Sequence, residues 1–196
     1  ARMQVESVPL APRLRDLGCH PAGLSDLQAF LARDDLLAEV AALNATGLTE
    51  AERLELTQLL PRLADACERL AEVALPPMLV HPDFRVANCV LGDMSVRFLN
   101  WADSFVVHPF ISLLRLLQLD YPEALEAPQR DPVVSAYLSN FEGLQTRARL
   151  LEALRLAGRL FPAWTLMQWS RELSLLEPGG VSREIVQDTW VAVARQ

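Results

Sequence analysis

A chain of 196 residues that is 51% apolar can bury a real core, as one domain or one large lobe. Its formal net charge of −7 and pI near 5.0 argue against nucleic acid as a partner, because an acidic surface repels phosphates. No apolar run reaches the roughly 18 residues of a membrane span, and Ala1-Arg2-Met3 lacks the charged-then-apolar order of a secretion signal, so no membrane partner and a cytoplasmic location are expected.

The first 22 residues, with Pro9, Pro12, Gly18 and Pro21, read as an irregular lead-in or hinge segment. Leu24 to about Asn44 reads as helix: Ser25 can cap it, and Leu27, Phe30, Leu31, Leu36, Leu37 and Val40 supply an apolar face. A second helix is predicted from Thr49, where Thr49-x-x-Glu52 forms a capping box. Its apolar stripe runs through Leu56, Leu59, Leu60, Leu63, Cys67, Leu70 and Ala74. Pro61 should kink or split this helix, and Pro76-Pro77 ends it. Met78-Leu79-Val80 is a short apolar run leading into a loop. Beyond the loop, Cys89-Val90-Leu91 and Val96-Arg97-Phe98-Leu99 flank a Gly92-Asp93 turn and predict a small β-hairpin. Helix returns from Pro109, with Phe110, Leu113, Leu114, Leu116 and Leu117 as a dense apolar surface, and again at 131–142, 146–176 (broken near Pro162) and 182–195. The fold class expected is α+β, mainly helical, as one unit over 1–196.

Cys19, Cys67 and Cys89 are isolated and lack C-x-x-C spacing, which fits small thiols in a reducing cytoplasm better than disulfides or a zinc knuckle. All 18 basic residues are Arg, a bias that a GC-rich bacterial genome would produce. The chain therefore offers no Lys to grip ATP phosphates, and its 8 Gly are too scattered for a phosphate loop.

The loop between the apolar run and the hairpin, His81-Pro82-Asp83-Phe84-Arg85-Val86-Ala87-Asn88, has the pattern H-x-D-x-x-x-x-N. Kinase-type phosphoryl transfer uses this layout. One Asp accepts the proton of the substrate hydroxyl, an Asn five residues on holds Mg²⁺, and a second carboxylate after a hairpin chelates the metal. Asp83 and Asn88 fit the first two roles, whereas the third position carries the neutral Asn100, followed by Trp101-Ala102-Asp103.

On these residues the chain resembles the aminoglycoside phosphotransferase family, a bacterial branch of the protein-kinase-like superfamily. The family loop reads His-Gly-Asp-(Leu/Phe)-His-x-x-Asn and is followed by an apolar strand ending Asp-Trp and a helix opening near His-Pro. Here Phe98-Leu99-Asn100-Trp101 and His108-Pro109-Phe110 follow that course, and the likeness runs over about residues 17 to 120. The resemblance implies the C-terminal lobe of a small-molecule kinase. Asp83 would be the catalytic base, Asn88 and Asn100 the metal positions, Mg²⁺ and ATP the family's cofactors, and a small-molecule hydroxyl compound the substrate. It also implies that the ATP-gripping N-terminal lobe lies outside this chain, on the same or another polypeptide. With that lobe missing and Asn100 in place of a carboxylate, neither ATP nor Mg²⁺ is expected to bind tightly.

Three departures qualify these roles. Pro82 replaces the usual Gly, Arg85 stands where His is common and could reach a phosphate or simply hold the loop, and Asn100 removes the main metal carboxylate. His81 reads as holding the loop rather than as an acid or base. Asn88 could be a turn residue without a metal, Asp83 a loop Asp bonded to its own backbone, and Asp103 either a cap or a substitute carboxylate. A pseudokinase binding or scaffold module is the competing reading. A metal hydrolase using His81, Asp83 and His108 fits poorly, since His108 lies on the far side of the hairpin and no H-x-x-x-H spacing or carboxylate bridge completes such a site.

Overall fold

The computed structural model describes residues 1–19, 22–38, 49–93, 95–102, 104–117 and 127–175. The class is α+β and mainly helical, with two small antiparallel sheets. No helix among the described residues is long and apolar enough to cross a membrane. Contacts distinguish two compact units, Ala1–Gly23 with Val73–Leu154 and Leu24–Glu72 with Arg155–Gln196.

The first unit carries the candidate site. Its start is helical, which corrects the irregular lead-in expected for residues 1–22: helix α1 spans Arg2–Ser7, a 3-10 turn follows at Val8–Leu10, and helix α2 spans Ala11–Asp16. Pro9 and Pro12 each fall in the first turn of a new helical segment, where the missing N–H has no intrahelical acceptor to lose. Gly18, at φ +97°, ends α2, with its N–H on the Arg15 carbonyl (2.9 Å) and the Cys19 N–H on that of Leu14 (3.0 Å). This closure needs a left-handed residue, and glycine adopts it without a Cβ penalty.

Strand β1 (Met78–Val80) pairs antiparallel with β4 (Phe105–Val107), in the register Met78↔Val107, Leu79↔Val106 and Val80↔Phe105. This ladder is absent from the sequence reading, which takes Met78–Val80 as a short apolar run leading into a loop and assigns nothing to Phe105–Val107. Three-residue strands carry too little alternation to be seen, and their partner is remote along the chain. The expected hairpin does form: β2 (Cys89–Leu91) pairs with β3 (Val96–Phe98), and the turn closes with the Gly92 N–H on the Ser95 carbonyl at 2.8 Å. Helix α5 (Phe110–Leu117) buries Phe110, Ile111 and Leu113, and Phe110 meets Tyr137 and Phe141 in edge-on ring contacts at 6.1 and 5.4 Å. Tyr137 belongs to helix α6 (Ala127–Leu138), which starts four residues before the predicted 131 and hands over to a 3-10 turn at Ser139–Phe141.

In the second unit, helix α3 (Leu24–Leu31) packs against helix α4 (Glu50–Glu72). Helix α3 is shorter than the predicted 24–44. It stops at Leu31 and helical backbone resumes at 36–38. At the break Arg33 pairs with Asp35 through two 3.0 Å bonds, and the Leu36 N–H returns to the Arg33 carbonyl. Ser25 lies inside the first turn of α3 rather than ahead of it, and Val40 lies outside the described residues. The capping box of α4 forms as predicted, with Glu52 Oε2 accepting from the Thr49 N–H (2.8 Å) and hydroxyl (2.7 Å). Its buried face is Leu56, Leu63, Ala66, Cys67 and Leu70.

Neither long helix is split at its proline. Pro61 lies inside an unbroken α4 on its exposed side, where the carbonyl it frees can turn to water. Helix α7 runs through Pro162 from Arg147 to Leu175. A mid-helix proline costs about 3 kcal/mol. Leu150, Leu156 and Leu160 before it and Trp164 and Leu166 after it are all buried, and at about 1.5–3 kcal/mol each they outweigh that cost. The helix predicted at 182–195 lies outside the described residues.

Candidate functional site

The loop from His81 to Asn88 leaves β1 and ends in a 3-10 turn, Val86–Asn88, before the hairpin. Its backbone is held from one face of α5. The Ser112 hydroxyl accepts the His81 N–H at 3.1 Å and donates to the His81 carbonyl at 3.2 Å. One turn further along, Arg115 Nε donates to the Pro82 carbonyl at 2.8 Å. Residues three apart on a helix share a face, so the two polar side chains of an otherwise apolar helix both reach the two residues just before Asp83.

The ring of His81, 2% exposed, joins the two ends of the site. Nδ1 accepts the Asp83 N–H at 3.2 Å, and Nε2 lies 2.7 Å from the Leu99 carbonyl. An Nδ1 that accepts leaves the proton of the neutral ring on Nε2, which therefore donates to Leu99. Trp101 packs edge-on against this ring at 4.8 Å and ties its own indole N–H to the Phe98 carbonyl at 2.8 Å. Phe84 covers the adjoining side, 4.8 Å from Phe98.

Asp83 Oδ2 accepts from Asn88 Nδ2 at 2.7 Å and from Arg85 Nε at 3.0 Å. Asn88 Nδ2 also donates to the Asp83 carbonyl at 2.8 Å. Both Asp83 atoms are pure acceptors, so Asn88 must present its NH₂ there, which leaves its amide oxygen turned away from the carboxylate. The Arg85–Asp83 pair keeps 36% and 29% of its side chains exposed, and such a pair contributes about 1 kcal/mol at most. It orients more than it stabilises. Among the described residues Asp83 Oδ1 takes no hydrogen bond, so one carboxylate oxygen is fixed and the lone pairs of the other are unused.

Asn100 has a left-handed backbone, φ +63°, a conformation that Asn and Asp tolerate better than other side-chain-bearing residues. It is exposed, and it adjoins Asn88 through the backbone, where the Leu99 N–H donates to the Asn88 carbonyl at 2.9 Å. The structure thus gathers His81, Asp83, Arg85 and Asn88 into one network and sets Asn100 at its rim. Asp103 lies outside the described residues.

His108 is apart from this network. It is buried, its Nδ1 accepts the Phe110 N–H at 3.3 Å, and its ring meets that of Phe110 edge-on at 5.0 Å. Burial pushes its pKa down to about 3, so it is neutral. Among the described residues no three His, Cys, Asp or Glu side chains are grouped to hold a metal ion.

Ser112 and Arg115 are the site residues that sequence reading missed. The signal that could have found them is their i,i+3 spacing within Phe110-Ile111-Ser112-Leu113-Leu114-Arg115-Leu116-Leu117, which marks one polar edge on an apolar helix. Scans against family models, curated proteins and solved structures return no match to this chain.

Proposed function

We propose that this chain is the C-terminal, substrate-side lobe of a small-molecule kinase of the aminoglycoside phosphotransferase type, without catalysis of its own as an isolated chain. The observation that carries the reading is the state of Asp83. Its Oδ2 is fixed by Asn88 and Arg85, its loop is pinned by Ser112, Arg115 and His81, and its Oδ1 is left to accept the proton of a bound hydroxyl. A general base needs this fixed position and open lone pair before its basicity matters.

The donor set does not fit Mg²⁺ in this chain alone. Asn88 and Asn100 offer two neutral amide oxygens, whereas Mg²⁺ sites of this kind use one or two carboxylates plus substrate phosphates. With no Lys and no glycine-rich loop, the phosphates of ATP also lack partners. Among the described residues, proton acceptance by Asp83 is therefore the chemical role that the site supports. Asn100 is also what favours the second reading, a pseudokinase scaffold that keeps the loop and has lost transfer.

Two measurements test this. Calorimetric titration of ATP with Mg²⁺ into the chain should give affinity no tighter than about millimolar, and micromolar binding would contradict the missing grip. The chain joined to any coding sequence found upstream of Ala1 should consume ATP in the presence of hydroxyl substrates such as amino sugars, choline or homoserine, and Asp83→Asn should lower turnover at least about a hundredfold. Turnover indifferent to Asp83→Asn would sink the kinase reading; no turnover from the extended chain would leave the scaffold.

A further inference from the structure

We propose that helix α1 is a releasable clip that sets the position of the Asp83 loop, with Gln4 and Ser7 as its positioning residues. The inward face of this six-residue helix is polar. Gln4 and Ser7 are each 4% exposed, while Met3 is 45% exposed and no large apolar side chain of the helix is buried. With little apolar surface to hold it, its docking depends on directed hydrogen bonds.

Those bonds reach the two segments that feed the loop. The Ser7 hydroxyl donates to the Gln4 carbonyl at 2.6 Å and accepts the N–H of Leu79 at 2.9 Å. Leu79 is the central residue of β1, two positions before His81, and its amide lies on the strand edge that β4 does not cover. Gln4 Nε2 donates to the Pro109 carbonyl at 3.0 Å, and the Tyr137 hydroxyl lies within hydrogen-bond reach of Gln4 Oε1 and of that same carbonyl, sharing its one proton between the two acceptors. Pro109 immediately precedes α5, whose Ser112 and Arg115 hold His81 and Pro82. One short helix therefore grips both the strand that delivers the loop and the start of the helix that pins it. Releasing it frees the Leu79 amide and the Pro109 corner together. This coupling is a matter of geometry and holds whether or not Asp83 serves phosphoryl transfer.

The test is residue-resolved native-state hydrogen exchange on the full chain, with Ser7→Ala and, as rescue, Ser7→Thr, which keeps the hydroxyl. In Ser7→Ala the Leu79 amide should exchange about tenfold faster or more. The amides of Asp83, Asn88 and Leu99 should accelerate with it, while those of α4 keep their rates, and Ser7→Thr should restore the original pattern. Acceleration of Leu79 alone would overturn the proposal, as would uniform acceleration of every amide. Should Ser7→Ala fail to fold, the unaltered chain in low urea supplies the second arm. There the amides of α1, Leu79 and Asp83 should share one opening below global unfolding. Opening of α1 without Leu79 and Asp83 would equally overturn it.

Discussion

Replacing His108 by Asn should remove a specific part of the protein's acid sensitivity. The Asn amide oxygen can stand in for Nδ1 as acceptor of the Phe110 N–H, so the substitution deletes a titrating ring while keeping an acceptor for that bond. In the folded chain burial lowers the His108 pKa to about 3, whereas an unfolded histidine titrates near about 6.5. Between those values the unfolded state binds the extra proton. Stability from this group is therefore complete above about pH 6.5 and is lost as pH falls toward about 3. The loss runs at about 1.4 kcal/mol per pH unit, or roughly 2–3 kcal/mol between about pH 6.5 and about pH 4.5. Carboxylates held low by hydrogen bonds, such as Asp35 and Glu52, act further into acid. Urea unfolding of both proteins across this range gives the difference directly. At neutral pH His108→Asn should be the less stable of the two by about 1–2 kcal/mol, from lost packing against Phe110. On acidification the gap should close and then reverse. A gap that stays constant down to about pH 4.5 would show that His108 is protonated without penalty and that its burial does not hold it neutral.

Two further substitutions and one labelling experiment follow from the site and core. Asn88→Ala removes both amide bonds to Asp83 and should cost about 1–2 kcal/mol in urea unfolding, discounted for partial exposure. Asn88→Asp should cost more than Asn88→Ala at neutral pH, since it sets a second carboxylate against Asp83, and an equal or smaller cost would refute the contact. Cys67 is fully buried on α4, and burial together with Glu68 pushes its thiol up to about 12. It should react with a thiol reagent at about pH 8 at least about a thousandfold more slowly than in urea, and fast labelling in the folded chain would contradict its placement.

Much of this architecture can be read from the sequence where local physics decides. The capping box at Thr49 and Glu52, the α4 stripe and the hairpin around Gly92 are each fixed by residues within a few positions of one another. The failures are equally physical. Pro9 and Pro12 look like breakers but open new turns, and Pro162 is carried by the burial of its neighbours. The β1–β4 ladder and the clasp of Gln4 on Pro109 join residues far apart along the chain, which no local pattern encodes. Within the site, the motif positions His81, Asp83 and Asn88 are visible by spacing. That Asn88 spends its NH₂ on Asp83, and that Ser112 and Arg115 hold the loop, depends on α5 packing back over it.

The most direct test of the central claim, that Asp83, Asn88 and Asn100 form a kinase-type site lacking its metal carboxylate, is a Mn²⁺ titration of the native chain and Asn100→Asp, followed by paramagnetic broadening at Asp83 and Asn88. The left-handed backbone at 100 tolerates Asp as it does Asn, so the fold should be unchanged. One added charge at contact distance contributes about 1–4 kcal/mol per unit of opposing charge. Mn²⁺ affinity should therefore rise at least about tenfold in Asn100→Asp, with broadening centred on Asp83 and Asn88. Equal affinity in the two proteins, or broadening elsewhere in the chain, would show that these residues do not share a metal position and would remove the basis for the kinase reading.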